Sequence, residues 1–195
     1  MPMPAVLEDT RSRPASPKRV LFRVVATIFI VEALIMVALH AVGDSLLLEE
    51  LKQDAACARR QGTRVGVLFV DVDGFKRLND LLGHETGDAV LRDVAAHLRG
   101  SIRESDLAAR WGGDEFVVLL TGLTDPEAAG VVAGKIVEAF RPPSLAERPD
   151  VAVSLSIGVA ICPEDPHEIL RRADAAMYEA KRAGKNTFRR AGPGR

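Results

Sequence analysis

Two glycines followed by two carboxylates, set between runs of strand length, constrain this chain more than any other stretch. Arg110-Trp111-Gly112-Gly113-Asp114-Glu115-Phe116 follows Asp106-Leu107-Ala108-Ala109-Arg110, which reads as a short strand. It leads into Phe116-Val117-Val118-Leu119-Leu120, a continuous apolar run of buried-strand length. Gly takes positive φ without steric cost, so two glycines between strands predict a tight hairpin. Neighbouring strand side chains point to opposite faces, so Asp114 and Glu115 cannot play the same part. On these residues alone, an ordinary hairpin with a solvated acidic tip competes with a functional site.

The flanking sequence supplies helices and more strands. Leu47, Leu48, Leu51, Ala55 and Ala58 recur at helical spacing from Leu46 to Gln61, predicting an amphipathic helix that ends near Gly62. Val65 to Val70 reads as a buried strand delivering Asp71 at its C-terminal end, and Phe75 to Leu82 as a short helix. Thr86-Gly87-Asp88 is expected to cap a longer helix with Leu91, Val94, Ala95, Leu98 and Ile102 on one face. Asp125-Pro126-Glu127 opens another, with Asp as cap, Pro in the first turn and Glu at the positive end of the dipole. It runs to about Phe140, where Pro142-Pro143 stops it. Strict alternation of Val151, Val153, Leu155, Ile157, Val159 and Ile161 predicts a half-buried strand. His167 to Ala183 is the last helix, with Leu170, Ala173, Met177 and Ala180 inward and Gly184 closing it. Strands interleaved with helices around one hairpin give an α/β fold, a mixed central sheet flanked by helices.

The chain's 195 residues leave room for one ordinary domain and an appendage. The appendage is N-terminal. Residues 1–19, with Pro2, Pro4, Pro14 and Pro17 among Arg, Ser and acidic residues, read as a disordered leader. An apolar run from Val20 to Val42 follows, interrupted by Arg23, Glu32 and His40. Its length suits a membrane span of roughly 20 residues. Glu32 argues for the alternative, an amphipathic helix on a partner or in the interface, since a mid-bilayer charge costs roughly 2.5–3.5 kcal/mol. With 26 basic and 27 acidic residues, the chain lacks the basic surface of a nucleic-acid binder. Its two cysteines, Cys57 and Cys162, have no ligand spacing and suggest neither a disulfide framework nor a zinc site.

Asp71-Val72-Asp73-Gly74-Phe75-Lys76 is the second informative stretch. A carboxylate leaving a central strand, then a Gly-containing turn entering a helix, presents a metal and a phosphate together. Backbone N–H groups around Gly74 and Phe75 suit phosphate oxygens, with Lys76 as a nearby cation. A capping Asp beside a solvated Lys is the plain alternative.

Taken together, Arg110 to Phe116 and Asp71 to Lys76 resemble the signature segments of the GGDEF family, the diguanylate cyclases. The resemblance covers roughly Leu46 to Arg189, and the family domain is expected over 46–190, with 191–195 as a tail. It implies a polymerase-palm-like domain that condenses two GTP into cyclic di-GMP with release of two pyrophosphates. By resemblance, Asp71 and Asp114 hold magnesium (or manganese), helped by the carbonyl of Val72. Glu115 completes metal binding or helps deprotonate the attacking hydroxyl, and both readings stay open. Gly74, Phe75 and Lys76 fall in the phosphate segment and Gly112 and Gly113 in the hairpin against substrate. Asn79 and Asp88 match the family's guanine-reading pair. Lys181 and Lys185, read as lying on one face of the last helix, match its triphosphate contacts, and Asn186 completes the familiar ending. Arg103 and Asp106 resemble an inhibitory product site, with Lys135 as a further basic candidate.

One departure stands out. Family members usually carry an Asp-x-Leu-Thr-Gly-Leu-x-Asn-Arg turn before the first helix, whereas Leu39-His40-Ala41-Val42-Gly43-Asp44-Ser45 keeps little of it. A catalytically impaired domain that binds GTP or cyclic di-GMP and signals by contact is therefore the alternative function. The resemblance implies that each domain holds one GTP, so that catalysis is expected to require a homodimer. The resemblance implies a bacterial inner-membrane protein with a cytoplasmic catalytic domain. Arg11, Arg13, Lys18 and Arg19 before the apolar run instead favour a cytoplasmic N-terminus. A single span would then export the domain, so three options stay open: no crossing, an overridden charge rule, or a second span lost from this chain.

Overall fold

The valine-rich run after Gly62 forms the central strand β1 (Arg64–Asp73), with a partner on each side. The computed structural model describes residues 45–148, 150–162 and 165–192. The expected leader, the apolar segment at 20–42 and the divergent turn up to residue 44 lie outside them, as does most of the 191–195 tail. Among the described residues no helix is long and apolar enough to cross a membrane.

Helix α1 occupies 45–61. The chain continues through β1, α2 (Phe75–Leu82), α3 (His84–Ser101), β2 (Leu107–Gly112), β3 (Glu115–Leu123) and α4 (Glu127–Ala139). After a short 3₁₀ turn at Pro143–Leu145 come β4 (Ser154–Cys162), α5 (Pro166–Arg182) and β5 (Thr187–Arg190). One five-stranded sheet results, in the order β2-β3-β1-β4-β5. Every pairing is antiparallel except β4–β5, which is parallel and joined through α5. The mixed sheet expected from sequence is observed.

Alternation along the strands divides the core into two layers. Leu68, Val70, Val72, Phe116, Val118, Leu155 and Ile157 pack with Leu78 of α2, Val90 and Leu98 of α3, and Ile136 of α4. On the other face, Val65, Val67, Phe69, Val117, Leu119 and Ala160 pack with Leu51 of α1 and Ile169, Ala173 and Met177 of α5. Each large aliphatic side chain buried here contributes roughly 1.5–3 kcal/mol. Asp71 and Asp73 continue the second set by period, so both carboxylates face α5.

Several boundaries differ from expectation for physical reasons. β1 runs on through Asp73, because Asp71 is paired with Glu115 on one side and Ser156 on the other. Thr86 does not cap α3. The helix begins at His84 with Gly83 as its cap, and the Thr86 hydroxyl donates back to the carbonyl of Leu82 at 3.1 Å. Ala95, expected on the buried face of α3, is exposed. β4 starts only at Ser154 and is buried on both faces rather than one. Its small residues mislead: a Cβ on Gly158 would lie 1.9 Å from the carbonyl oxygen of Ala173 and 2.2 Å from the nitrogen of Met177. The backbone of α5 rests on β4 at that point, which is why the position is small rather than polar. Strand β5 was not expected. Four residues without apolar alternation carry no strand signal of their own, and pairing with β4 makes the strand. At α4, Pro126 rather than the expected Asp125 stands at the cap position, and Asp125 one residue earlier still accepts the Glu127 N–H at its Oδ1, at 2.9 Å.

Candidate active site

Three elements bring charge to one end of the sheet. β1 supplies Asp71, the β2–β3 hairpin supplies Asp114 and Glu115, and α5 supplies Lys181. The hairpin is tighter than the two glycines suggested, since Gly112 already pairs with Glu115 and the connection is Gly113-Asp114. Gly113 has φ 49°, the left-handed conformation that glycine tolerates. A bulge between Arg110 and Gly112 takes up Trp111, whose ring meets Phe69 edge-on at 6.1 Å. Arg110 fastens the tip, donating from Nε and a terminal nitrogen to the Gly113 carbonyl at 2.9 and 2.5 Å. The Asp114 carbonyl in turn accepts from the Val72 N–H at 3.2 Å, tying the hairpin to β1.

Asp71 is buried, and Lys181 Nζ stands 2.6 Å from its Oδ2. Burial raises the Asp71 carboxyl above its ordinary value; Lys181 opposes this, while Asp114 and Asp73 add to it. Glu115 is also raised, first by burial and then by the charges of Asp71, Asp174 and Asp114. For Lys181, burial is the largest single influence and pulls it down. Asp71, Asp114 and Asp73 together outweigh burial, so its ammonium is held above the usual lysine range. One lysine thus serves a crowd of carboxylates.

Asp73, to which sequence assigned no definite role, is a hub. It is buried, and Ser154 Oγ donates to its Oδ2 at 2.8 Å. Ser156 Oγ donates to Oδ1 and Oδ2 at 2.9 and 3.0 Å, and the Asn186 N–H to Oδ2 at 3.2 Å. Lys185 does not share a helical face with Lys181 as expected. α5 ends at Arg182, Gly184 follows with φ 111°, and Lys185 and Asn186 take φ 65° and 47° in the turn to β5. Once the helix has closed on glycine, spacing by four no longer aligns side chains. The serines and Asp174 were missed because their proximity depends on strand register and helix docking.

The phosphate-type segment is laid out as expected. Gly74, exposed with φ 81°, precedes α2, and no side chain caps that helix. The first-turn amides of α2, starting at Phe75, therefore lack intrahelical acceptors. Lys76 is exposed. Asn79 Oδ1 is buried without a hydrogen-bond partner. It presses on Gly87, where an added Cβ would lie 1.9 Å from it. Asp88 is exposed on α3 and lines a cleft of about 590 Å³ that also includes Leu91, Arg92, Arg110 and Phe116. Asn79 and Asp88 thus come from α2 and α3, and the cleft reaches the hairpin.

Arg103 and Asp106 behave differently from each other. Asp106 is buried, and its carboxylate accepts from the Arg103 N–H and the Thr121 N–H, both at 3.0 Å. It holds the turn before β2. The Arg103 side chain is exposed, as is Lys135 on α4.

Among the described residues no group of three or more His, Cys, Asp or Glu side chains converges as a metal cluster. The expected set is smaller, with Asp71, Asp114 and the Val72 carbonyl. These are hard oxygen donors in an acid-rich field, and Lys181 already holds a cation against Asp71. The donor chemistry fits a hard divalent cation.

Comparison with known proteins accounts for this arrangement. The family description "Diguanylate cyclase, GGDEF domain" matches residues 44–187. The diguanylate cyclase TpbB of Pseudomonas aeruginosa strain UCBPP-PA14 is 45% identical over 141 residues, covering 70% of this chain and 32% of TpbB. The bifunctional diguanylate cyclase/cyclic di-GMP phosphodiesterase MucR of the same species, strain PAO1, is 42% identical over 163 residues, covering 80% of this chain and 24% of MucR. This chain therefore spans about a quarter to a third of the length of these relatives. Among solved structures, the GGDEF domain of TpbB (YfiN) from Pseudomonas aeruginosa superimposes with TM-score 0.69 at 38% identity, over 77% of this chain and 96% of that one. The GGDEF domain of DgcB from Caulobacter crescentus, in complex with c-di-GMP, gives TM-score 0.65 at 33% identity, over 73% and 86%. With nearly three quarters of its length matched by the family description and its sheet superimposable on solved members, the chain belongs to the GGDEF family.

Proposed function

We propose that this chain condenses two molecules of GTP into cyclic di-GMP, releasing two pyrophosphates. The observation that carries the reading is the meeting of Asp71, Asp114, Glu115 and Lys181 from three elements at one end of the sheet. GGDEF diguanylate cyclases use divalent metal ions, and here magnesium (or manganese) would be held by Asp71, Asp114 and the Val72 carbonyl. Bound there, the ion would stabilise the attacking and departing oxygens.

The chain's own residues do the rest. The amides at Gly74 and Phe75, with Lys76, Lys181 and Lys185, bind the triphosphate. Asn79, with its unpartnered buried acceptor, and Asp88 read the guanine edge. Gly112 and Gly113 keep the hairpin backbone close to substrate. Each 3′-hydroxyl oxygen bonds to the α-phosphorus of the opposite nucleotide, and the bond from that phosphorus to the bridging oxygen breaks. Glu115, raised by burial and by its acidic neighbours, is suited to accept the hydroxyl proton at its carboxylate. Two domains facing each other across a two-fold axis would bring the halves together. The apolar run at 20–42 would tether that dimer to the inner membrane, with the site on the side that holds GTP.

Incubation of the purified chain with GTP and magnesium, with products identified by mass, tests the reading. Cyclic di-GMP is expected from wild type and none from Asp114→Ala or Asp71→Ala. Nucleotide binding without product would select the contact-signalling alternative.

A further inference from the structure

Two segments assigned to the triphosphate, Gly74–Lys76 and the turn bearing Lys185, come from opposite ends of the domain sequence. One carboxylate joins them. Asp73 immediately precedes Gly74, and its Oδ2 accepts the Asn186 N–H at 3.2 Å. The turn needs such an anchor, because Lys185 and Asn186 are successive non-glycine residues at positive φ. Conformations of this kind persist only where the surroundings hold them.

The other amides of the turn close back onto the helix itself. Ala183 N–H reaches Glu179 at 3.0 Å, Gly184 N–H reaches Lys181 at 3.4 Å, and Lys185 N–H reaches Ala180 at 3.1 Å. Asn186 is the residue whose amide leaves α5 for the end of β1. Ser156, which donates to the same carboxylate, pairs in register with Thr187, so the anchor continues into β5.

We propose that Asp73 is a positioning residue for Lys185. It fixes the left-handed turn against the phosphate segment and so places the Lys185 ammonium at the triphosphate. It touches neither substrate nor metal in this role. An acceptor-only group suits the place, since three donors converge there, two hydroxyls and an amide. The inference rests on the cyclase reading for what Lys185 contacts.

The test measures binding of α,β-methylene-GTP to the full-length chain with magnesium, in wild type, Lys185→Ala, Asp73→Ala and the double variant. Each single substitution is expected to weaken binding about tenfold, and the double variant to be no weaker than Lys185→Ala within about twofold, because coupled residues are not additive. Asp73→Asn, which can still accept at one oxygen, should return to within about threefold of wild type, and preference over the ATP analogue should not change in any variant. Independent losses that multiply to about a hundredfold in the double variant would overturn the inference. So would wild-type binding by Asp73→Ala. Were Asp73→Ala not to fold, Asp73→Ser takes its place in the cycle, because its short hydroxyl keeps a polar group beside Ser154 and Ser156 but does not reach the Asn186 amide. Product formation from GTP, assayed alongside, separates the two readings. A wild type that makes cyclic di-GMP while Asp73 and Lys185 act independently leaves the cyclase reading intact and removes this one. A wild type that neither binds the analogue nor forms product removes both.

Discussion

Lys181 Nζ on α5 and Asp71 Oδ2 on β1 stand 2.6 Å apart, one partner nearly buried and the other about a third exposed. Lys181→Met removes the cation from a buried carboxylate. The cost should fall between the roughly 0–1 kcal/mol of an exposed pair and the roughly 3–5 kcal/mol of a broken buried one. Saturating magnesium should narrow the difference, because a second cation is then available to Asp71. Thermal melting of both proteins with and without magnesium checks this. An undiminished gap in magnesium would show that the metal does not reach Asp71.

Gly87→Ala should copy the phenotype of Asn79→Ala. The new methyl would lie 1.9 Å from Asn79 Oδ1, so the amide must move out of its present position. Both variants should lose much of their preference for GTP over ATP, by roughly tenfold or more, as when a site built to hydrogen-bond one substrate loses a partner. Competition between the two nucleotides gives the measurement. A Gly87→Ala protein with unchanged selectivity would uncouple Gly87 from base reading.

Product feedback is best probed at Arg103. Asp106 spends its carboxylate on two backbone amides, so substituting it would disturb the turn itself. Arg103→Ala should leave initial rates similar and weaken inhibition by added cyclic di-GMP, since an Arg fork suits both phosphate and guanine edges. Progress curves with added product decide. Equal inhibition of the two proteins would reduce Arg103 to a surface cation.

Asp54 on α1 offers a pH-dependent test away from the site. Burial, then the charges of Glu50 and Asp106, hold its carboxyl above the ordinary value. The folded chain therefore binds that proton more tightly than the unfolded chain does. The resulting stability is fully present below the usual aspartate value of about 4 and is lost as pH rises through the raised folded value. Asp54→Asn stays neutral and should melt slightly higher at neutral pH, on the order of 1–2 °C for a surface substitution in a domain of this size. Melting curves from pH 3.5 to 7 should converge at the acid end, at roughly the pH where the wild-type carboxyl is protonated. A constant offset would assign the change to something other than charge.

What sequence disclosed and what it hid follow from the range of each interaction. Phe75–Leu82 was legible to the residue because a glycine precedes it and another follows. The turns beside Asp71 and Asp114 were legible from local residue types, whereas the pairing of the two acids in one site was implied only by the family resemblance. Ser154 and Ser156 were not legible. Their partner Asp73 is 81 and 83 residues away, and only the β1–β4 register brings them to it. Lys185 was placed on a helix face by counting, while Gly184 had already ended the helix. The alternation from Val151 suggested one wet face on β4, whereas Gly158 is small to admit the backbone of α5.

The layout of the site also fixes an order of assembly. A ribosome delivers Asp71, then the hairpin with Asp114 and Glu115, well before it delivers Lys181 and the turn that closes on Asp73. Until α5 docks on Gly158, the nascent chain carries a group of acids with no lysine among them and a strand β4 open on one side. A half-made domain therefore holds the segment from Gly74 to Lys76 but neither the lysine that stands against Asp71 nor the turn that bears Lys185. The charge balance around Asp71 is thus set last, by the helix made last.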